Sequence, residues 1–508
     1  MRIHRSNALI QKNWNASQVR SMINDPKELS DFLLRIRKKF KVETLDGSPF
    51  LHLVKPTSEN LVKYKVRYPA SKIHFIISLL AAFPRIILLI INSLVISLLR
   101  TQENFKWTPI QKKKYRRLII SQFTSVQNPE EQDIFYGSNT QTPDSLIFYL
   151  NSTRRQAHKI QGDFINAGKS NVIVNSKSLW ILETIKLHLK QMQGSFNLFT
   201  YAVFNSENSI IERRLLIEAS VFQHARSTIA NQITKVRLTQ VLKACNPAEI
   251  VMMTEGHAHE AMILNLRNKE FSSIRILGYQ HAPIVPGQFA LRHLLNQFDE
   301  DDILLTCGAT TQRVIQTNHP NLKVKILGSL KSKSSVDKPK DSKCLEVLGI
   351  VESTRESLIE FVSLFNFLAT SIPNVEFTLR IHPGLERHNS AQILKKLRRL
   401  KNLRVSVGTL LEDLQRSHIG VFRSSAVGLE GLAFGVLPVH FDATHLGYLN
   451  PIEFTKMQKI EFSDPKILAD FLREMPLADI SNHAFQEECS SVLTDYFYPL
   501  RTIKSLIL

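Results

Sequence analysis

The chain has 508 residues, a formal net charge of +20 and an apolar fraction of 43%. That length is too great for one hydrophobic core, so two domains with additional elements are expected, and the apolar fraction is that of a globular protein. Cys245, Cys307, Cys344 and Cys489 are widely spaced and form no Cys-x-x-Cys pair, which argues against a zinc centre and a disulfide framework and fits a reducing cytoplasm.

Residues 1–72 read as a small basic helical region. The first residues are polar and basic without an apolar core, so no cleavable signal peptide is expected. Much of the positive excess lies before residue 120, in Arg35, Arg37, Lys38, Lys39 and Lys41, then Lys63, Lys65, Arg67 and Lys72, then Arg100, Lys106, Lys112, Lys113, Lys114, Arg116 and Arg117. The later groups flank one strongly apolar run, Ile73 to Leu99. Cations at both ends of an apolar segment suit an anionic membrane surface better than a DNA groove, so no nucleic-acid partner is expected. Pro84-Arg85 interrupts the run, and a charge at mid-bilayer is costly. The spacing therefore favours a re-entrant or interfacial helical hairpin turning near Pro84, with both flanks cytoplasmic. A single span and a buried core helix are the alternatives.

Residues 101–142 read as a polar connector. From 143 onward apolar runs alternate with helical stretches. DSLIFYL and NVIVNS read as strands, SLWILETIKLHLKQM as a helix, FNLFTYAVF as a third strand, and 207–244 as helical. EIVMMTEG reads as a buried strand with a helix beginning near His257. SIRILGYQHA, DDILLTCG and VKILGS continue the series. The lysine- and serine-rich stretch GSLKSKSSVDKPKDSK is an interdomain linker, bounded at 331–343. A second series follows: CLEVLGIV, helix 355–370, VEFTLRIHP, helix 389–400, LRVSVG, the helix LEDLQRS, IGVFRSS, helix 427–434 and LPVHF. Strands alternating with helices, without hairpin turns, predict an α/β protein of two parallel-sheet domains facing a cleft. The boundaries are 1–142 (with the membrane-associating segment 73–99), 143–330, 344–475, and a helical extension over 476–508.

Two strand ends carry the chemistry. His382-Pro383 closes one strand, with Arg380 two residues earlier. Arg423, Ser424 and Ser425 close another, ahead of a helix containing Glu430. Strand tips that bring hydroxyls and free N–H groups to a helix N-terminus suit a phosphate or diphosphate. In the first domain Glu255 and Gly256 follow a buried strand, Glu260 is a competing carboxylate, and Gln280 and His281 end the next strand. Asp299-Glu300-Asp301-Asp302 precedes a strand and reads as a solvated turn. His257 and His259 are two apart, poor spacing for a metal pair on one helix face, so no metal and no cofactor are expected.

Taken together these residues resemble a glycosyltransferase of the GT-B type, with two Rossmann-like domains. The stretch TEGHAHEAMILNLRNKEFSSIRILGYQHAPIVPGQF (254–289) resembles bacterial surface carbohydrate biosynthesis proteins. The His382-Pro383 and Ser424-Ser425 pairs resemble bacterial sialyl- and Kdo-type capsule transferases that use CMP-sugars. The resemblance covers roughly residues 143–470. It implies an acceptor domain followed by a nucleotide-donor domain, and an inverting, metal-independent transfer to a lipid-linked or growing glycan. The setting would be capsule, O-antigen or lipopolysaccharide assembly at the cytoplasmic face of the bacterial inner membrane. In this reading Glu255, its pKa raised by partial burial, is the general base; an N-cap or solvated-turn role is the competing account. His382 donates to the donor phosphate, Arg380, Pro383, Arg423, Ser424 and Ser425 contact the donor, and Glu430 accepts from ribose hydroxyls. Gly256, Glu260, Gln280 and His281 line the cleft. A CDP-glycerol-type polyol-phosphate transferase and a non-catalytic membrane-associated protein remain alternatives.

Overall fold

The structure is a computed structural model. It describes residues 26–40, 45–52, 72–101, 115–123, 128–151, 157–175, 179, 181–205, 210–332, 344–383, 385, 387–397, 400–442, 449–480 and 482–507. Lys41, Lys63, Lys65, Arg67, Lys106, Lys112 to Lys114 and most of the linker lie outside the described residues.

Two parallel sheets are built around central strands that are short apolar runs buried on both faces, with more exposed strands at their edges. The first contains β1 (Arg117–Phe123), β2 (Ser145–Asn151), β3 (Val172–Val174), β4 (Glu249–Met253), β5 (Arg275–Gln280), β6 (Ile303–Thr306) and β7 (Lys323–Ile326), in the order β3-β2-β1-β4-β5-β6-β7. All five residues of β4 are buried, as a central parallel strand covered on both faces requires. The second sheet contains β8 (Glu346–Ile350), β9 (Glu376–Arg380), β10 (Leu403–Val405), β11 (Ile419–Phe422), β12 (Leu437–Phe441) and β13 (Glu461–Phe462), in the order β10-β9-β8-β11-β12-β13. Every pairing in both sheets is parallel. The two expected Rossmann-like domains are therefore present.

Each sheet reverses its winding once. The first changes direction between β1 and β4, the second between β8 and β11. Outside the carboxyl ends of such neighbours the crossovers diverge and leave a crevice. Glu255 follows β4 and Ser424 follows β11, so both stand at switch points.

Three expectations about the first half need correction. The connector assigned to 101–142 contains β1, which pairs with β2 on one side and β4 on the other. The first domain thus begins well before residue 143. The run FNLFTYAVF belongs to a helix, since α4 spans Ile181–Phe204 after α1 (Pro26–Phe40), α2 (Lys72–Thr101) and α3 (Ala157–Asn166). Leu198 and Ala202, one turn apart, pack with Leu215 and Leu216 of α5 (Ile210–Phe222). Burial at helical spacing overrides the strand preference of those aromatics. Finally, α2 runs unbroken through Pro84, so there is no hairpin turn.

The inner face of α2 packs Leu79, Ala82, Ile86 and Leu89 into the same cluster, together with Phe32, Leu33 and Ile36 of α1. Arg85 is answered by the bidentate carboxylate of Glu218 on α5, at 2.8 and 3.2 Å. The outer face of α2 leaves Ile76, Leu80, Phe83, Ile87, Ile91 and Val95 exposed. Among the described residues, no helix is long and apolar enough to cross a membrane.

The C-terminal segment ties the domains together. Helix His483–Tyr496 buries Cys489, Leu493 and Tyr496 against Leu414, Leu432 and Phe434 of the second domain. The chain then returns to the first: Tyr498 N–H donates to Cys307 O at 2.9 Å and Arg501 N–H to Leu327 O at 2.8 Å. Gly328 adopts φ +90° beneath this strap, where a Cβ would lie 2.1 Å from Pro499 O, so only glycine fits.

Candidate functional site

The first site grows from the tip of β4. Thr254-Glu255-Gly256 makes a sharp turn into α7, the helix Ala258–Glu270, which follows α6 (Arg226–Cys245). Gly256 has φ +94°, and a Cβ there would lie 2.5 Å from Leu291 N. The turn points three successive N–H groups at one oxygen. Glu255, Gly256 and His257 donate to Glu260 Oε2 at 2.8, 2.7 and 3.0 Å. The helix N-terminus is thus filled by its own side chain. Burial pushes the Glu260 carboxyl up to about 7, with His257 opposing and Glu255 adding to the rise. Glu260 belongs to the architecture of the turn.

Glu255 sits between two imidazoles. Its Oε1 is 3.0 Å from His281 Nδ1, and its Oε2 is 3.3 Å from His257 Nε2. Burial alone would raise this carboxyl. His281 and then His257 outweigh it and hold Glu255 well below the usual carboxylate range. The expected upward shift is therefore corrected: the group is an anion. His281, at the end of β5, is placed by an edge-on contact with Phe135 at 4.8 Å. His257 stacks on His259 at 5.5 Å, and burial followed by His257 pushes His259 down to about 3. Gln280 is fully buried and donates to Ala282 O at 2.9 Å, so it shapes the loop after β5.

A cavity of about 320 Å³ opens beside this cluster, lined by Gln122, Asn151, Asn175, Thr234, His257 and His259 among others. Gln122 and Asn151 come from the ends of β1 and β2, and Asn175 follows β3. Asn175 is 4% exposed and donates to Thr234 Oγ1 at 2.7 Å, while its Oδ1 has no partner among the described residues. Side-chain amides, a hydroxyl and imidazoles around a small hollow match the hydrogen-bonding needs of a polyhydroxylated ligand.

The second site lies at the carboxyl edge of the other sheet. Two of its expected phosphate contacts are corrected. Arg423 is buried and engages Glu352 at 2.7 and 3.3 Å and Glu360 at 3.0 Å. Arg380 reaches Asp413 at 2.6 Å, Ser406 at 3.2 Å and the Gly408 carbonyl at 3.0 Å. Both guanidinium groups are committed to carboxylates that hold the strand ends. The helix expected over 427–434 is also shorter. The helix Arg355–Ser371, in the β8–β9 crossover, is long, but the helix after Ser425 covers only Val427–Glu430 and continues as a 3₁₀ turn, Gly431–Phe434. Ser425 Oγ accepts the Val427 N–H at 3.2 Å.

His382 and Pro383 are exposed at the tip of β9. Although the ring reaches solvent, partial desolvation by the surrounding strand end lowers the His382 pKa, with Glu352 pulling the other way. Ser424 is 8% exposed and is separated from the end of β11 by Arg423. Glu430 gives one oxygen to Lys331 Nζ at 2.6 Å, which links the end of the first domain to the second. The Asp299–Asp302 turn is not simply solvated, because Asp302 is buried and both Asp299 and Asp302 pair with Arg267.

Sequence reasoning missed Glu352, Gln122, Asn151 and Asn175, and it did not pair His257 with Glu255. All lie at or next to strand ends, which is the signal that would have found them.

No family model matches this chain, and no curated protein matches it. Among solved structures, UDP-GlcNAc 2-epimerase from Neisseria meningitidis bound to UDP-GlcNAc is 10% identical, covers 75% of this chain and 95% of its own, and gives a TM-score of 0.44. The glycosyltransferase SnogD from Streptomyces nogalater is 10% identical, covers 75% and 96%, and gives 0.39. UDP-GlcNAc 2-epimerase from Methanocaldococcus jannaschii is 11% identical, covers 74% and 98%, and gives 0.40. Likeness at this level assigns neither family nor activity.

Proposed function

We propose that this protein is a glycosyltransferase that moves a sugar from a nucleotide-activated donor of the CMP-sugar class to an acceptor hydroxyl of a lipid-linked or growing surface glycan. The observation that carries the reading is Glu255, held anionic between His257 and His281 at a switch point and beside a polar cavity. An ionised carboxylate in a half-buried, hydrogen-bonding crevice can accept the proton of an incoming alcohol.

In this mechanism the acceptor sugar lies in the cavity, held by Gln122, Asn151 and Asn175. Glu255 takes the hydroxyl proton as the oxygen attacks the anomeric carbon from the face opposite the leaving group. The bond from that carbon to the phosphate oxygen breaks, and the nucleotide leaves with the electron pair. Charge accumulates on the departing phosphate, where His382 and Ser424 supply donors. Arg380 and Arg423 fix the strand tips that carry them, and Glu430 offers its remaining oxygen to ribose hydroxyls.

Thermal-shift screening of the full chain with CMP, CDP, UDP and GDP tests the donor class. A nucleotide that binds the native state raises its melting temperature. CMP is expected to give the largest rise, one that shrinks in the Ser424→Ala variant. A rise confined to UDP or GDP would overturn the donor assignment.

A further inference from the structure

Helix α4 carries an apolar stripe that its amphipathic fold does not bury. Leu182, Ile185, Leu189, Met192 and Phe196 recur at steps of three and four residues and are 43–69% exposed. This is the spacing of one continuous helix face. The opposite face, Leu187, Gln191, Ser195, Leu198 and Ala202, is the buried one. The neighbouring α2 likewise turns its outer face to solvent, and both helices share the cluster built on α5. Exposed apolar surface on this scale marks a docking face, since monomers rarely leave more than a few hundred Å² contiguous.

Charge identifies the occupant. Lys186 and Lys190 are exposed on α4 beside the stripe. The basic last turn of α1 reaches the C-terminal part of the same helix, where Lys39 Nζ meets Tyr201 Oη at 3.0 Å and lies 4.1 Å from its ring centroid. Arg35 and Lys38 are exposed alongside. Apolar side chains rimmed by cations match the boundary between acyl chains and anionic headgroups. A second copy of this chain would place the same cations against one another.

We infer that α4 and α2 together seat the protein in the surface of an anionic bilayer, with Leu189, Met192 and Phe196 inserted among the lipids and Lys186 and Lys190 at headgroup level. This inference does not depend on the reaction assigned to the cleft.

Vesicle co-sedimentation of the full chain tests it. Vesicles of phosphatidylcholine with phosphatidylglycerol should retain the protein, and phosphatidylcholine alone should retain much less. The Leu189→Ser/Phe196→Ser variant should lose about tenfold or more in partitioning, given the apolar area withdrawn from lipid. Lys186→Glu/Lys190→Glu should weaken binding to the anionic vesicles and flatten its salt dependence. Each variant should melt within a degree or two of the parent, because the altered side chains are exposed. Unchanged partitioning of the folded serine variant would overturn the inference. So would a parent dimer, detected by light scattering without lipid, that the same substitutions dissociate.

Discussion

Glu255 Oε1 lies 3.0 Å from His281 Nδ1, and this contact reverses the charge behaviour that burial would otherwise impose on the carboxyl. The two residues end adjacent strands, β4 and β5, so the pairing follows from parallel register and not from closeness in sequence.

Removing the imidazole should expose the burial effect. In His281→Asn the Glu255 pKa should climb, because desolvation is the largest influence on it and the leading opposing charge is gone. The acid limb of kcat/KM should then move to higher pH by about 1–3 units. A pH–rate profile of the parent and the variant checks this, and an unmoved limb would separate Glu255 from the rate-determining proton transfer.

Glu260 gives the opposite sign. Its folded pKa is raised to about 7 from 4.5, so the folded state holds the proton more tightly. Stability from this group is present below pH 4.5 and is lost as pH rises through 7. Glu260→Gln keeps an oxygen for the three N–H donors and cannot ionise. It should therefore gain about 1–3 kcal/mol over the parent at alkaline pH and little in acid, as read from urea denaturation at both ends of the range.

His224 supplies an acid-sensitive point in the helical layer. It is 1% exposed, neither ring nitrogen has a partner among the described residues, and burial, aided by His188, pushes it down to about 4 from 6.5. The unfolded chain binds this proton more readily, so stability is full above pH 6.5 and falls as pH drops toward 4. His224→Leu should remove about 2 kcal/mol of the pH dependence between neutral and mildly acidic conditions, measured by denaturant midpoints.

The legible parts of the fold were those where one local pattern decides the outcome. Ile250 to Met253 and Ile419 to Phe422 are short apolar runs bounded by turn residues, and both are central strands with a polar residue at the tip. β1 escaped because the basic run ending at Arg116 and Arg117 leads straight into it, and Arg117 is neutralised inside the sheet by Glu249, more than a hundred residues away. Arg380 and Arg423 looked like anion ligands for the same reason. Their partners, Asp413, Glu352 and Glu360, are distant in sequence, and side-chain direction is set by packing. The candidate base was legible as a strand-end carboxylate. Its ionisation state was not, since that depends on His281 from the next strand.

The Arg423 cluster provides a stability test distinct from chemistry. Replacing Arg423 with Met leaves Glu352 and Glu360 without their cation in a buried setting. A loss of about 3–5 kcal/mol is expected. Pairing it with Glu352→Gln should recover part of that loss, and a double-mutant cycle in urea reads the coupling.

The most direct measurement is CMP release from a CMP-sugar in the presence of a glycan acceptor, comparing the parent with Glu255→Gln. The parent should turn over, and the variant should fall by about 10²–10⁴-fold while keeping its CMP-induced rise in melting temperature. Turnover undiminished in a folded, CMP-binding Glu255→Gln variant would contradict the account.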